Sequence, residues 1–188
     1  NAGHYDSNLD VSADDPAQMS AAIQRTLDCY RRDGLTGAGE QVLVQTQTED
    51  VTASGVIFTR DLQRNRPYYL VNYDDNGSTD SVTSGSGGKS LWISRDLEEV
   101  PAPWTALIAA IREIERVLDG MILDIEFAVT APGKVVVFQV RPLAANYRFF
   151  REFDDKTFFD HKRQVKESVR TRPGGLDGEA MLFSEMAF

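Results

Sequence analysis

Two acidic and two further polar residues occur at spacings that could bring them together on one face of a sheet. In the sequence L-D-I-E-F, the two-residue period of a strand sends Asp124 and Glu126 to the face opposite the apolar side chains. In F-Q-V-R, the same period groups Gln139 with Arg141. Carboxylate and amide oxygens are ligands for Mg²⁺, and a guanidinium can bind phosphate through two parallel hydrogen bonds.

A hairpin would align these two segments. The sequence A-P-G at 131–133 is a turn signal between them. We expect Ala131 to pair with Lys134 across this turn, and the pairing of all other residues then follows from strand geometry. The resulting cross-strand pairs are Glu126 with Gln139 and Asp124 with Arg141.

The surroundings of the hairpin favour a buried site over a solvated one. Residues 121–122 and 135–137 are apolar on both faces, which indicates a central sheet position. One arginine cannot satisfy two buried carboxylates and an amide. A divalent cation bridging Glu126 and Gln139 to phosphate oxygens would do so, while Arg141 binds phosphate, and the pattern therefore predicts a nucleotide-phosphate site. The alternative is a solvated sheet face with one cross-strand ion pair.

The elements that would position this site follow from periodicity and turn signals. A cap before Pro16 and apolar residues at helical spacing predict a helix over 16–32, and a second helix is predicted over 101–120. Segments rich in β-branched and aromatic residues predict strands over 42–48, 55–59, 68–73, 91–93, 121–130 and 134–143. This order predicts an α+β domain with a mostly antiparallel sheet and flanking helices.

Composition limits the classes of function. The chain has 188 residues and a net charge of −9, which argues against a general nucleic-acid binder. No apolar segment approaches the length of a membrane span. Cys29 is the single cysteine, so the chain has no internal disulfide, and a cytoplasmic location is expected.

The charge balance changes from acidic to basic near residue 145. We therefore expect a first domain over 1–145 and a helical linker, or the start of a following domain, over 146–188. The aromatic residues between 149 and 159 predict a helix that packs on a neighbouring domain rather than a nucleic-acid surface. The chain starts at Asn1 without an initiator Met, and we expect it to be a fragment of a longer protein.

Several motifs resemble those of one enzyme family. D-I-E-F at 124–127, followed by Q-V-R-P at 139–142, resembles the end of the ATP-binding domain of phosphoenolpyruvate synthase and pyruvate phosphate dikinase, which reads D-I-E-[WF] and then Q-x-R-P. Residues 2–11 resemble the family's A-G-Q-x-x-T-x-L-N-V loop. V-L-V-Q at 42–45 and S-G-V-I-F-T-R-D at 54–61 resemble two further segments, so the likeness extends in family order from the start of the chain to residue 143.

The resemblance implies an ATP-grasp-like lobe, with ATP held between two lobes, and a role for each matching residue. Glu126 and Gln139 would hold Mg²⁺ and the phosphates, and Arg141 would neutralise charge in the transition state. In the loop near the start of the chain, Gly3 and Ser7 would approach phosphate. The hinge that reads adenine would consist of Gln45, Thr46, Gln47 and Thr48.

The sequence also departs from the family pattern. Residues 77–85 correspond to the family's G-L-G-E-x-V-V-x-G, with Thr79 in place of the second glycine and Asp80 in place of glutamate. Asp80 is included among the nucleotide-binding residues, whereas His4, in place of the usual glutamine, is given no role. The family's first lobe, its phosphohistidine domain with T-x-G-G-x-x-x-H, and its pyruvate-binding barrel have no counterpart in this sequence.

The expected function is the ATP-binding part of a phosphotransferase that passes a phosphoryl group from Mg-ATP to a carrier histidine on a separate domain. Its expected partners are ATP, the N-terminal lobe and the phosphohistidine domain, without nucleic acid or membrane, and the chain alone is expected to be inactive. The departures at Thr79 and Asp80 motivate an alternative, a non-catalytic or regulatory ATP-grasp-like module. A third interpretation, a carboxylate ligase acting through an acyl phosphate, is disfavoured by the Q-x-R-P ending.

Overall fold

The structure is a computed structural model that describes residues 7–32, 41–75, 88–143 and 153–171. These residues form a five-stranded antiparallel sheet and three helices, which confirms the α+β class and the antiparallel sheet. The strands are β1 (Val51–Phe58), β2 (Tyr68–Asp74), β3 (Lys89–Ser94), β4 (Leu123–Thr130) and β5 (Val135–Pro142), in the spatial order β3-β2-β1-β4-β5. The helices are α1 (Pro16–Arg32), α2 (Thr105–Val117) and α3 (Asp155–Thr171). None of these helices has the length and apolarity that a membrane crossing requires.

Helix α1 has the predicted bounds because its start is determined locally. The Asp15 carboxylate accepts hydrogen bonds from the N–H groups of Ala17 and Gln18, at 3.0 and 3.1 Å. These donors have no partner within the helix, and Pro16 at the first helical position needs none. The cap and the proline therefore fix the first turn of the helix.

The hydrophobic core lies between one face of the sheet and helix α2. The helix buries Leu107, Ile108 and Ile111 against the sheet, and Trp104, just before the helix, packs edge-on to Tyr73 and Phe127. The strand residues that complete this core are Ala53, Ile57, Tyr69, Val71, Ile93, Leu123, Ile125, Phe127 and Val129. Helix α2 is shorter than the predicted 101–120, because residues 101–104 form a turn in which the Trp104 N–H bonds the Pro101 carbonyl at 2.9 Å.

The strand predicted over 42–48 is wrong. Residues 41–49 are described and have no regular secondary structure, and Leu43 is 81% exposed. β-branched residues favour a strand only when they pack against a neighbouring strand, and the described sheet provides none here. The segment is held from both sides by side chains, since the Tyr30 hydroxyl bonds the Gln41 carbonyl and Gln47 bonds Asp10.

The β4–β5 hairpin corrects one predicted pairing and confirms two others. Its predicted central position is wrong for β5, which is an edge strand of the described sheet and is largely exposed. The turn contains three residues, because the Thr130 N–H bonds the Lys134 carbonyl at 3.0 Å, so Ala131 does not pair with Lys134. Gly133 adopts a φ of 79°, which glycine tolerates best. A bulge at Phe138 then inserts one extra residue into β5. The bulge compensates for the longer turn, and the pairs Glu126 with Gln139 and Asp124 with Arg141 form as predicted.

The central strand β1 approaches β2 unusually closely at Gly55. A Cβ atom on this residue would lie 2.0 Å from the Asn72 carbonyl oxygen and 2.8 Å from the Tyr73 Cα. Both contacts are with backbone, which cannot rotate away as a side chain can. Only glycine therefore fits this position of the sheet.

A buried polar network joins α2 to the sheet at Glu115. Its carboxylate accepts hydrogen bonds from Arg95 Nη1 at 2.7 Å, from Arg95 Nη2 at 3.1 Å and from the Tyr69 hydroxyl at 2.9 Å. Burial raises the pKa of the Tyr69 hydroxyl above its ordinary value of 10.0, against the opposing charge of Arg95. Arg95 Nη1 also donates to the Thr59 carbonyl at 2.8 Å. The network thus satisfies the buried charge of Glu115. It links α2 to β2 and to the residues that follow β1 and β3.

Helix α3 starts after a second aspartate cap. The Asp154 carboxylate accepts hydrogen bonds from the Thr157 N–H at 3.0 Å and the Thr157 hydroxyl at 2.6 Å. These bonds lower the pKa of Asp154 below its ordinary value of 3.8. The cap therefore contributes to stability above about pH 4 and is lost as the pH falls through the lowered pKa.

Replacement of Gly55 by alanine tests the close approach of β1 and β2. We expect Gly55→Ala to lower the free energy of unfolding by at least about 3 kcal/mol, because the strands must separate to admit the methyl group. Gly133→Ala is the control, since no atom lies within 4 Å of the added carbon and only the positive φ costs about 1 kcal/mol. Urea unfolding followed by circular dichroism measures both, and equal losses would contradict the steric account.

Replacement of Glu115 by glutamine tests the buried network. We expect Glu115→Gln to destabilise the fold by about 2 kcal/mol, because Arg95 and Tyr69 lose a charged acceptor. Glu113→Gln removes the same charge from an exposed position of α2 and is expected to change stability by less than about 0.5 kcal/mol. Thermal unfolding of the two variants compares them directly, and matching melting temperatures would show that the network adds nothing.

Candidate functional site

The candidate site lies on the sheet face opposite α2. Leu123, Ile125 and Phe127 of β4 point into the core, so the alternating residues Asp124 and Glu126 lie on the other face. The cross-strand register places Gln139 and Arg141 of β5 beside them. The structure therefore brings together all three residues predicted to be catalytic, Glu126, Gln139 and Arg141.

Arg141 is the centre of this group. Its Nη2 atom donates a hydrogen bond to Asp124 Oδ2 at 2.7 Å and lies 3.9 Å from Glu126 Oε1. The exposed fractions of the side chains of Asp124, Glu126 and Arg141 are 14%, 26% and 27%. Gln139 is exposed. The group therefore combines a largely buried ion pair with a carboxylate and an amide that solvent or a ligand can reach.

One oxygen of the group has no hydrogen-bond partner. Asp124 Oδ1 is buried, and no described residue donates to it. An unsatisfied buried acceptor costs about 1–3 kcal/mol, and more when it is charged. A donor or cation that reached Oδ1 would recover this free energy, so Oδ1 is a buried, unsatisfied acceptor within the candidate site.

Apolar side chains flank the polar group on the same face. The register pairs Val56 of β1 with Glu126 and Phe58 with Asp124, and both apolar side chains are half-buried. Paired residues of antiparallel strands share a face, so the carboxylates lie beside an apolar surface. Reduced access of water there strengthens the attraction between Arg141 and the acids.

The donor set fits Mg²⁺ held together with phosphate. Glu126 and Gln139 are directly opposed and offer one carboxylate and one amide oxygen, and Asp124 offers a further carboxylate. Mg²⁺ is commonly bound by one or two carboxylates together with substrate phosphates. Within the described ranges, no cluster of three or more Asp, Glu, His or Cys residues could hold a metal ion by protein ligands alone. The residues therefore suit a shared metal–phosphate site rather than a closed protein cage.

The remaining predicted nucleotide-binding residues are not joined to this group by any hydrogen bond found among the described residues. Ser7, Gln45 and Thr46 are exposed, and Thr48 is half-buried. Gln47 is engaged elsewhere: its Oε1 accepts from the Asp10 N–H, and its Nε2 donates to Asp10 Oδ1, both at 2.9 Å. Gly3 and Asp80 lie outside the described residues.

Sequence reasoning missed the residue that anchors the site, Thr59. Its N–H bonds the Leu123 carbonyl at 3.0 Å, and its hydroxyl accepts the Leu123 N–H at 2.9 Å. Leu123 precedes Asp124, so these bonds fix the start of β4 where the site begins. The sequence offers two signals, a β-branched hydroxyl residue directly after an apolar strand, which is common in proteins, and the place of Thr59 within S-G-V-I-F-T-R-D at 54–61, where it was given no role.

No protein-family profile and no curated protein matches this chain. The likeness of its motifs to the phosphoenolpyruvate synthase and pyruvate phosphate dikinase family therefore stays a prediction. The chemistry of the site rests on the residues and distances described above.

A double-mutant cycle tests the Asp124–Arg141 pair. We expect Arg141→Gln to destabilise the fold by about 1–3 kcal/mol, because it leaves the Asp124 carboxylate buried without a counter-charge. Adding Asp124→Asn is expected to recover part of this loss, with a coupling free energy of about 1 kcal/mol. Lys134→Gln, at an exposed position of the same hairpin, is the control. Additive effects in urea unfolding would show that the two side chains do not interact.

Proposed function

We propose that this chain is the ATP-binding part of a phosphotransferase of the phosphoenolpyruvate synthase and pyruvate phosphate dikinase type. It would pass a phosphoryl group from Mg-ATP to a carrier histidine on a separate domain. The observation that carries the proposal is the position of Arg141, 2.7 Å from Asp124 and 3.9 Å from Glu126, with Gln139 opposite Glu126.

Phosphoryl transfer requires mainly positioning and neutralisation of charge, and the side chains at the site are suited to both. Bound Mg²⁺ would supply charge neutralisation on the phosphate oxygens. Glu126 and Gln139 offer it oxygen ligands from adjacent strands, which hold them in a fixed relation. Arg141 donates through Nη2 to Asp124, and the other N–H groups of its guanidinium can bind a phosphate oxygen.

The sheet supports this arrangement by holding Arg141 in place. A free arginine side chain loses about 2 kcal/mol of conformational entropy when it is ordered on a ligand. Here the hydrogen bond to Asp124 orders the guanidinium beforehand. The pair therefore prepares the positive charge for a phosphate before one binds, which is the pre-organisation that electrostatic catalysis depends on.

A second function is favoured by a specific observation. Arg141 already has a carboxylate partner at 2.7 Å, as expected of a structural ion pair on a sheet face. A non-catalytic or regulatory ATP-grasp-like module would bind a nucleotide or another domain through this face. Such a module would require only this ion pair and no catalytic residue. The buried location of Cys29, the single cysteine, agrees with a reducing compartment, and we place either function in the cytoplasm.

Phosphotransfer by the complete gene product separates the two functions. Histidine labelling is followed with ATP carrying radiolabel on the β- or γ-phosphate in separate reactions, with MgCl₂ present. We expect Glu126→Ala and Gln139→Ala each to reduce labelling by about 10²–10³-fold, because each removes an oxygen ligand. Glu113→Ala, an exposed change on the far side of the sheet, is the control and is expected to label normally.

Labelling that survives both substitutions would overturn the phosphotransferase proposal. Equilibrium dialysis of the same proteins with ATP and MgCl₂ then identifies the alternative. Wild-type binding of ATP without any labelling would favour the non-catalytic module, and loss of that binding in Glu126→Ala would locate the nucleotide at the same face.

A further inference from the structure

Helix α3 lies against the end of the sheet where β2 begins and β3 ends. The ring of Phe158 meets Tyr68 edge-on, with centroids 6.0 Å apart. The Lys162 ammonium lies 5.6 Å from the centroid of the same Tyr68 ring. Tyr68 in turn meets Trp92 of β3 edge-on at 6.1 Å. The aromatic part of the contact therefore converges on one residue of β2.

Two charged contacts flank this aromatic contact. Arg60 binds Asp155 through two hydrogen bonds, Nη1 to Oδ2 and Nη2 to Oδ1, both of 2.7 Å. Lys162 donates to the Ser94 hydroxyl at 2.8 Å and lies 3.3 Å from Asp96 Oδ1. The helix is thus bound to the residues that follow β1 and to the end of β3.

Burial contributes little to this docking. None of residues 153–168 is fully buried, and every member of the hydrophobic core comes from the sheet, from α2 or from Trp104 just before it. Partly exposed ion pairs are weak individually and are weakened further by salt. The free energy that holds α3 is therefore small compared with that of α2, and the ion pairs contribute to it together with the aromatic contact at Tyr68.

A short series of bonds connects the docking contact to the candidate site. Arg60 follows Thr59, which holds Leu123 through two hydrogen bonds, and Leu123 precedes Asp124. Arg60 also donates to the Asn65 carbonyl through Nε at 3.1 Å and Nη2 at 2.6 Å, so its guanidinium is fixed by the turn as well as by α3. A change at Asp155 can reach the start of β4 through this short series of bonds.

We propose that α3 is a releasable clasp, docked by the Arg60–Asp155 and Lys162–Asp96 ion pairs, and that its release loosens the junction of β1 and β4 at Thr59 and Leu123. This inference does not depend on the phosphotransferase proposal, since it concerns only how the helix is held. Docking of α3 and order at the start of β4 are then linked, and each stabilises the other.

Amide hydrogen exchange of the whole chain, followed residue by residue by NMR, tests the clasp. We expect Asp155→Asn to speed exchange in α3 by about fivefold. We also expect exchange at Leu123 to be about twofold faster. Raising the salt concentration to about 1 M should have the same effects on the unmodified chain and a smaller effect on Asp155→Asn.

Asp160→Asn is the matched control. Asp160 is on the same helix, and among the described residues its ion pair is with Arg163 of that helix, so its replacement removes the same charge without touching the described sheet. Exchange at Ile125, in the core, reports whether each variant is folded. Equal exchange rates in α3 for the two variants, or an unchanged rate at Leu123 in Asp155→Asn, would overturn the proposal.

A charge exchange provides a second, independent test. Lys162→Glu alone should release α3, since it places two acidic residues beside each other. Adding Asp96→Lys should restore slow exchange in α3 to within about twofold of the original chain. Failure of the double variant to recover, with Ile125 still protected, would show that the pair does not hold the helix.

Discussion

The junction of β1 with β4 is the constraint on which the other features depend. β1 is the central strand, and Gly55 allows β2 to approach it closely on one side. On the other side, the two hydrogen bonds between Thr59 and Leu123 fix where β4 begins. The position of Asp124 follows from that start. Arg95 also donates to the Thr59 carbonyl, so Thr59 connects the hydrogen-bond network around Glu115 to the candidate site.

Two carboxylates on opposite faces of the sheet illustrate how burial and hydrogen bonding change the role of an acidic residue. Glu115 is buried with three hydrogen bonds and stabilises the packing of α2. Asp124 has one bond from Arg141, and its second oxygen has no donor among the described residues. A fully satisfied acid has nothing left to offer a ligand, whereas an incompletely satisfied one does. This difference, rather than the number of charges, distinguishes the candidate site from the structural network.

The sequence predicts those features that depend on local interactions. Helix α1 follows from its Asp15 cap and Pro16, and the pairing of Glu126 with Gln139 follows from strand alternation. The strand predicted over 42–48 does not form, because apolar and β-branched residues favour a strand only when a neighbouring strand packs against them. The docking of α3 through Asp155 and Arg60 could not be predicted, since it joins residues far apart in the chain. The burial of Asp124 Oδ1 without a donor likewise depends on tertiary packing, which the local sequence does not determine.

The bulge at Phe138 places one residue in β5 that has no paired residue on β4. A three-residue turn with a bulge and a two-residue turn without one both lead to the same pairing of Glu126 with Gln139. These two arrangements use the same number of residues. Loss of one residue is absorbed when a three-residue turn forms again and β5 loses its bulge, and the polar residues then keep their partners. A change of one residue at the tip of the hairpin therefore leaves the pairing at the candidate site unchanged.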